Sequence, residues 1–280
     1  MTPAVTAPPP PATPGTASEP APGPAAPPQP VSPMLVRLAA EGATGALLRD
    51  HGTLYLVDGD VVHAESPAAP GMDVLLTAGG RLPREGWDEA VDRAGAHRAV
   101  GRFLMDSGRM PRGELEICHL CAVFDAAFFA LSPTSGPTRF RYGVGHWFGT
   151  VRPVPAAAVE RETARRRELL ASAWPYASVD TAPVAPRPAP EGRAVGARNR
   201  ARLDAADGRR TPTELARLLG RPAFHTLLDV RRLAAAGFVE TPPATTPHSP
   251  PPASPAPLPP VADPDIALLR RLRDALEAHP

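Results

Sequence analysis

The chain has 280 residues, with 30 basic and 29 acidic side chains that leave a formal net charge of +1. This length can hold two domains, and two cysteines in such a chain exclude a disulfide framework. The charge is uneven, since residues 34–152 carry 12 Arg against 14 acidic residues, whereas residues 193–241 carry 10 Arg against 5. The basic second region therefore favours an anionic partner, and the first region a different kind of partner.

The 40 prolines are concentrated in stretches that contain few large apolar residues. Proline lacks a backbone N–H and fixes φ, so these stretches cannot continue a helix or a central strand. We therefore expect residues 1–33, 177–192 and 242–264 to be disordered tethers. Two folded modules remain, over residues 34–152 and 193–241.

The beginning of the chain has neither a basic segment nor an apolar one, so no signal peptide is predicted. The longest apolar run, over residues 115–131, is interrupted by polar side chains and is too short to span a bilayer comfortably. These features predict a cytoplasmic protein that has no membrane partner.

Three short strands are predicted over residues 45–49, 53–57 and 61–65. His51-Gly52 and Asp58-Gly59 separate them, and an Asx-Gly pair between apolar runs is a strong hairpin signal. The alternation of polar and aromatic residues over 138–142 predicts one further strand of the same small sheet.

An internal repeat of 28 residues follows the hairpins, since residues 75–84 match residues 103–112. Each copy has the end of an apolar helix, a glycine suited to a left-handed C-cap, and a proline that opens the next helix. The sequence therefore predicts an α+β module, with two helical hairpins inserted in a small antiparallel sheet.

The hairpin sequence Thr44-Gly45-Ala46, the run 52–56 and the run 58–64 together resemble PATAN-type domains, which are bacterial signalling modules. The resemblance covers roughly residues 34–148, and its motifs are turn glycines and apolar spacings. Proline in both repeat turns departs from the Ser or Thr that such domains more often have there. The resemblance implies a protein-interaction role, with no catalytic residue to transfer.

Mixed Arg and Glu residues over 153–176 predict a solvated, charged helix. We interpret this helix as a spacer, or as one that packs loosely on the first module through a few apolar side chains.

The second module is predicted to be three helices. They cover residues 197–206, residues from Pro212 to Gly220, and residues 222–236. Thr211 and Glu214 form a capping box, and a short glycine-containing turn joins the last two helices. With Phe238-Val239-Glu240 as the first strand of a wing, the region resembles the winged helix-turn-helix of bacterial transcriptional regulators.

If this module binds duplex DNA, its last helix enters the major groove by its N-terminal half. His225, Thr226, Asp229 and Arg232 are then the predicted base-facing residues, and Arg209, Arg210, Arg217 and Arg221 the predicted phosphate contacts. Asp229 argues against this prediction, because a carboxylate in the groove repels phosphate unless it accepts a hydrogen bond from cytosine.

Cys118 and Cys121 form a Cys-x-x-Cys pair, which could be half of a zinc site or a redox couple. Both lie inside an apolar helix, so packing in the core is the favoured interpretation. His63 or His146, like His97, could complete a zinc site only if the fold brought them there; otherwise we expect His51, His63 and His146 to be exposed or partly buried. No catalytic motif is recognisable, so no enzyme activity, cofactor or metal is predicted.

Apolar residues at helical spacing over 265–280 predict a short amphipathic helix that could fold onto a partner. The leading hypothesis is a non-enzymatic transcriptional regulator, in which the first module binds an unidentified protein and the second binds DNA. The alternative is a signalling adaptor whose two modules bind only proteins. The sequence does not determine the oligomeric state.

Overall fold

A computed structural model describes residues 31–190 and 194–241, which form two compact units. The first unit contains residues 31–168 and the segment Arg217–Phe224, and the second contains the remaining described residues. Within the described ranges, no helix has the length and apolarity needed to cross a membrane. The predictions for residues 1–30, 242–264 and 265–280 fall outside these ranges.

The first unit is built on an antiparallel sheet of five strands in the order β4-β1-β2-β3-β5. The three consecutive strands and the later fourth strand confirm the predicted sheet to within about one residue, and the fifth strand was not predicted. The strands are β1 Gly45–Arg49, β2 Gly52–Val57, β3 Asp60–Glu65, β4 Arg139–Tyr142 and β5 Val154–Pro155.

The turn between β2 and β3 has the predicted hairpin geometry. Asp58 and Gly59 have φ values of 50° and 85°, which are the two positive values of a tight primed turn. A Cβ on Gly59 would lie 2.6 Å from the carbonyl oxygen of Ala39. Glycine is therefore required there both for the backbone angle and for the close approach of another chain segment.

Six helices accompany the sheet in the described part of the first unit: α1 Pro33–Ala40, α2 Met72–Thr77, α3 Arg84–Ala94, α4 Val100–Asp106, α5 Arg112–Ala130 and α6 Ala156–Ala173, the last of which ends in the second unit. The first of these was not predicted. Ser32 caps it by accepting a hydrogen bond from the N–H of Leu35 at 3.3 Å. Residues 31–33, predicted as the end of a disordered tether, therefore belong to the fold.

The repeat appears as two similar helical hairpins, α2–α3 and α4–α5. Their turn residues Gly80 and Gly108 have φ values of 71° and 68°. In each turn a backbone N–H donates a hydrogen bond to a carbonyl of the preceding helix. Arg81 donates to Leu76, and Met110 donates to Leu104. The predicted left-handed C-caps are confirmed.

The long helix α5 joins two apolar cores within the first unit. Its Val123 is buried with Leu47, Leu54 and other residues of the sheet. Its Leu115, which lies near the N-terminal end of the same helix, is buried with residues of the two helical hairpins. Helix α5 therefore fixes the position of the hairpins against the sheet.

The helix α6 is not the solvated spacer that its charges predicted. Val159 is fully buried, and Glu160 accepts hydrogen bonds from the backbone N–H groups of Val31 and Ser32. Arg166 is also buried and donates to Glu162 at 2.7 Å. Charged residues are buried here because each has a partner inside the unit.

The described part of the second unit contains the end of α6, the 3₁₀ helix Ala177–Asp180, the whole of α7 Ala197–Ala205, and parts of α8 Pro212–Leu218 and α9 Ala223–Ala235. The predicted capping box is present at the start of α8. The Glu214 carboxylate accepts from the Thr211 N–H at 2.8 Å, and the Thr211 hydroxyl accepts from the Glu214 N–H at 3.4 Å.

Residues 177–190 are structured, so the prediction of a tether over this stretch is wrong. The Val184 N–H donates to the Arg210 carbonyl, and the Glu240 N–H donates to the Ala185 carbonyl. Pro186 and Val239 form an antiparallel bridge. In the described residues, the partner of Phe238–Glu240 is thus a segment that precedes the three helices. Proline is compatible with this extended pairing at an edge, because it lacks only the backbone N–H donor and its carbonyl can still accept a hydrogen bond.

Candidate functional site

Three histidines and one glutamate lie together in the first unit. His63 and Glu65 project from the same face of β3, since alternate residues of a strand share a face. His119 comes from α5, and His146 from the loop between β4 and β5. His63, His119 and His146 are buried, whereas Glu65 is exposed. The expectation that His63 and His146 are exposed or partly buried is wrong.

The imidazole rings are stacked. The rings of His63 and His146 are 3.9 Å apart and within 10° of parallel, and those of His63 and His119 are 5.5 Å apart. His63 Nδ1 lies 3.3 Å from His119 Nε2, so one of these two nitrogens carries a proton that the other accepts. Phe148 stacks on His119 and extends the aromatic column.

The hydrogen bonds of His146 determine its neutral tautomer. The backbone N–H of Phe148 donates to Nδ1 at 3.2 Å, so the ring proton is on Nε2. That proton is donated to Glu65 Oε1 at 2.8 Å, and the Tyr55 hydroxyl donates to Glu65 Oε2 at 3.1 Å. The hydrogen bond from His146 lowers the pKa of Glu65, although burial opposes the shift. Burial and the neighbouring Glu65 charge raise the pKa of Tyr55 to about 12.

Burial also keeps two of the histidines neutral. It lowers the pKa of His63 well below its ordinary value, with further lowering from His146 and His119. Burial lowers the pKa of His119 to about 4, against an opposing effect of the Val62 backbone. Near pH 7 these two rings are therefore uncharged ligands or hydrogen-bonding groups, and not cations.

A cavity of about 470 Å³ opens beside this group. Its wall combines the carboxylates of Asp50, Glu65 and Asp73 with one cation, Arg49. The remaining wall is largely aromatic or apolar and includes His63, Met72, Trp87, His146, Trp147 and Phe148. Such a concave site with a few polar groups is typical of a ligand site.

One donor atom each from His63, Glu65 and His146 lies within 4.8 Å of the others. Two imidazoles and a carboxylate are a donor set that suits divalent transition metals. The cysteines are not part of this group. Both Cys118 and Cys121 are free thiols, and burial raises the pKa of each, which disfavours the thiolate that binds metal.

The second unit hides part of the face that was predicted to read bases. Thr226 is fully buried, and Asp229 is buried with its carboxylate 2.7 Å from the guanidinium of Arg202 on α7. The placement of Thr226 and Asp229 on an exposed face is therefore wrong. The physical reason is that α7 packs against the side of α9 that carries Asp229, and the ion pair permits the burial of both charges.

The other predicted DNA contacts have different surroundings. His225 is half-buried and Arg232 is exposed. Arg209, Arg210 and Arg221 are exposed, with Arg210 paired to Asp207 at 2.7 Å. Arg217 is half-buried and donates to the backbone carbonyl of Pro67.

Asp125 is a further buried carboxylate that the sequence did not single out for a role. It accepts hydrogen bonds at 2.7 Å from the N–H groups of Ala223 and Phe224, which end the segment of the first unit that begins at Arg217. Burial raises its pKa to about 6, although these two bonds and Arg166 oppose the shift.

The sequence contained only a weak indication of the site residues that were not predicted. His63 and Glu65 occupy alternate positions of a predicted strand, which places them on one face. Their partner His146 is distant in the sequence, so no local pattern could join them. His119 and Asp125 interrupt an apolar helix, and buried polar residues of this kind require partners that only the fold supplies.

No protein-family model matches this chain, and no curated protein or solved structure matches it either.

Proposed function

We propose that this protein is a non-enzymatic signalling adaptor in which both units bind proteins, with the first unit acting as a PATAN-type interaction domain. The observation that carries this proposal is the buried ion pair between Arg202 and Asp229, 2.7 Å apart. It lies on the face of α9 that a DNA-reading helix would have to expose.

Base recognition in the major groove needs side chains that reach the base edges from an exposed helix face. Asp229 and Thr226 are buried, so two of the four predicted base-facing residues cannot do this without unpacking α9. Separating Arg202 from Asp229 would break an ion pair between two buried charges, at a cost of several kcal/mol. A function that leaves this packing intact is therefore favoured.

The first unit offers a surface that suits a protein partner. Strand β4 lies at the edge of the sheet and pairs with β1 alone among the described strands. Arg139 and Arg141 are exposed there, and Tyr142 is 70% exposed. An open edge strand can pair with an extended segment of another chain, and exposed arginines favour an acidic one.

In vivo photo-crosslinking tests the adaptor proposal with the full chain. A photoreactive phenylalanine analogue replaces Tyr142, and in a second chain it replaces Tyr176, which is 54% exposed and reports on partners of the second unit. We expect a discrete protein adduct from position 142 that disappears when Arg139 and Arg141 are changed to Glu. Absence of any protein adduct at either position, or an adduct at 142 that tolerates both charge reversals, would contradict the proposed edge-strand interaction.

A second candidate is a DNA-binding transcriptional regulator whose second unit is a winged helix-turn-helix. The observation that favours it is the exposure of Arg209 and Arg210, which precede α8 in the second unit, since exposed arginines suit phosphate contacts. In this case sequence-independent contacts would provide most of the affinity. Charge reversal at Arg209 and Arg210 would then weaken binding to all duplexes by a similar factor.

A further inference from the structure

We propose that His63, Glu65 and His146 bind one divalent transition-metal ion of the Zn²⁺ class, with an open coordination position facing the adjacent cavity. The three donors lie within 4.8 Å of one another, and all three residues line the same cavity of about 470 Å³. This proposal is independent of the adaptor function.

The donor set decides the class of ion. Imidazole nitrogen and a single carboxylate suit Zn²⁺, Co²⁺ or Ni²⁺, whereas Mg²⁺ and Ca²⁺ prefer oxygen ligands throughout. Three protein ligands leave a fourth position of a tetrahedral ion open to water or another small ligand. The cavity beside the three residues supplies the space for that ligand.

His63 is already oriented by an outer partner. Its Nδ1 lies 3.3 Å from His119 Nε2. With the proton on Nδ1 and donated to His119, the lone pair of His63 Nε2 remains for the metal. A ligand histidine that donates its second ring N–H to a fixed acceptor is the usual arrangement in metal sites.

His146 and Glu65 are close to the separation that two ligands of one ion require. Their Nε2 and Oε1 atoms are 2.8 Å apart, and tetrahedral ligands at ordinary Zn²⁺ distances are about 3.3 Å apart. The ion would replace the proton that these atoms share. That proton moves to Nδ1 of His146, so the hydrogen bond from the Phe148 N–H is lost on binding.

The stacked rings must also rearrange. The planes of His63 and His146 are nearly parallel and 3.9 Å apart, so a single ion cannot lie in both planes. One ring has to turn toward the other, and the neighbouring cavity leaves space for that rotation. These costs lower the affinity below that of a site that is already arranged for the ion.

The carboxylates of the cavity favour a cation. Asp50, Glu65 and Asp73 line the cavity, and Arg49 is the positively charged residue in its wall. Net negative charge in a confined site raises the local concentration of divalent cations.

A Co²⁺ titration of the full chain, stripped of metal with a chelator, tests the site through the visible absorption of the bound ion. We expect one Co²⁺ per chain with tetrahedral bands, and displacement by one equivalent of Zn²⁺. Glu65→Gln and His146→Gln should each weaken Co²⁺ binding at least about tenfold. His97→Gln, at an exposed histidine, should leave binding unchanged.

Two further readouts keep the test decisive. If His146→Gln melts at a much lower temperature without metal, the Glu65→Gln variant decides, because Glu65 is exposed and an amide preserves its shape. Co²⁺ binding with a thiolate charge-transfer band that Cys121→Ser removes would overturn the assignment. So would the absence of stoichiometric binding, or binding that Glu65→Gln leaves unchanged.

Discussion

The buried charged side chains among the described residues each have a specific partner. Asp229 pairs with Arg202, Asp125 accepts from two backbone N–H groups, and Glu160 accepts from two more. An ionised group buried without such partners would cost several kcal/mol. These residues therefore fix the arrangement of the helices that carry them, and their removal has predictable consequences.

Asp229→Asn removes the charge that compensates Arg202 inside the second unit. We expect the free energy of unfolding of the full chain to fall by about 3 kcal/mol, because the guanidinium remains buried beside a neutral amide. Asp204→Asn is the matched control, since Asp204 is an exposed carboxylate on α7, the helix that carries Arg202. Urea denaturation of both variants measures the effect, and equal stabilities would show that the ion pair does not hold α7 against α9.

Asp125 should make stability depend on pH in a direction opposite to that of an ordinary paired carboxylate. Burial raises its pKa in the folded chain from 3.8 to about 6, so the folded state binds its proton more tightly than the unfolded state does. The contribution of Asp125 is most favourable below pH 4 and is lost as the pH rises through about 6. The decrease is at most about 3 kcal/mol.

The difference in unfolding free energy between the parent chain and Asp125→Asn, measured at several pH values between about 4 and 7, isolates this contribution. Subtraction is needed because other groups titrate in the same range. For example, Glu162, whose pKa is lowered from 4.5 to about 2 mainly by its hydrogen bond with Arg165, contributes stability that begins to be lost as the pH falls toward 4.5. A difference that stays constant over this range would show that Asp125 does not titrate there.

At the scale of elements, the sequence predicts local structure well and non-local structure poorly. The hairpins and the repeated turns were predictable because Asp58-Gly59, Gly80 and Gly108 specify backbone geometry by themselves. Strand β5 was not predictable, since two residues that end in proline become a strand only by pairing with β3. The sequence allowed α6 to pack on the first module, but the buried partners of Glu160 were missed for the same reason, because they lie 128 and 129 residues away.

The turn glycines should differ in how strongly each is required. Gly80 and Gly108 have left-handed φ values, but nothing lies within 4 Å of an added Cβ, so replacement by Ala should destabilise the chain by about 1 kcal/mol at either position. Gly59→Ala should cost more than about 2 kcal/mol, because its Cβ would also meet the carbonyl of Ala39. Thermal denaturation of the three variants gives the ranking, and equal losses would contradict this account of Gly59.

At the scale of the whole molecule, composition predicted two modules but misplaced the structured boundary. Proline-rich residues 183–190 were expected to be a tether, yet Pro186 bridges Val239 in the second unit. Extended pairing tolerates proline at an edge, so proline content alone does not distinguish a tether from an edge segment. The candidate metal site was equally hidden, because its donors come from β3 and from a loop some 80 residues later.

The central claim is that the second unit is not built to read DNA, and a salt titration of duplex binding tests it most directly. Fluorescence anisotropy follows several labelled duplexes of different defined sequence, each mixed with the full chain, with Arg209→Glu/Arg210→Glu as the charge-reversed comparison. We predict weak binding even at low salt, lost by about 0.2 M salt, and no preference among duplex sequences. Tight binding that persists at that salt concentration and is weakened by charge reversal at Arg209 and Arg210 would contradict the adaptor proposal in favour of the regulator.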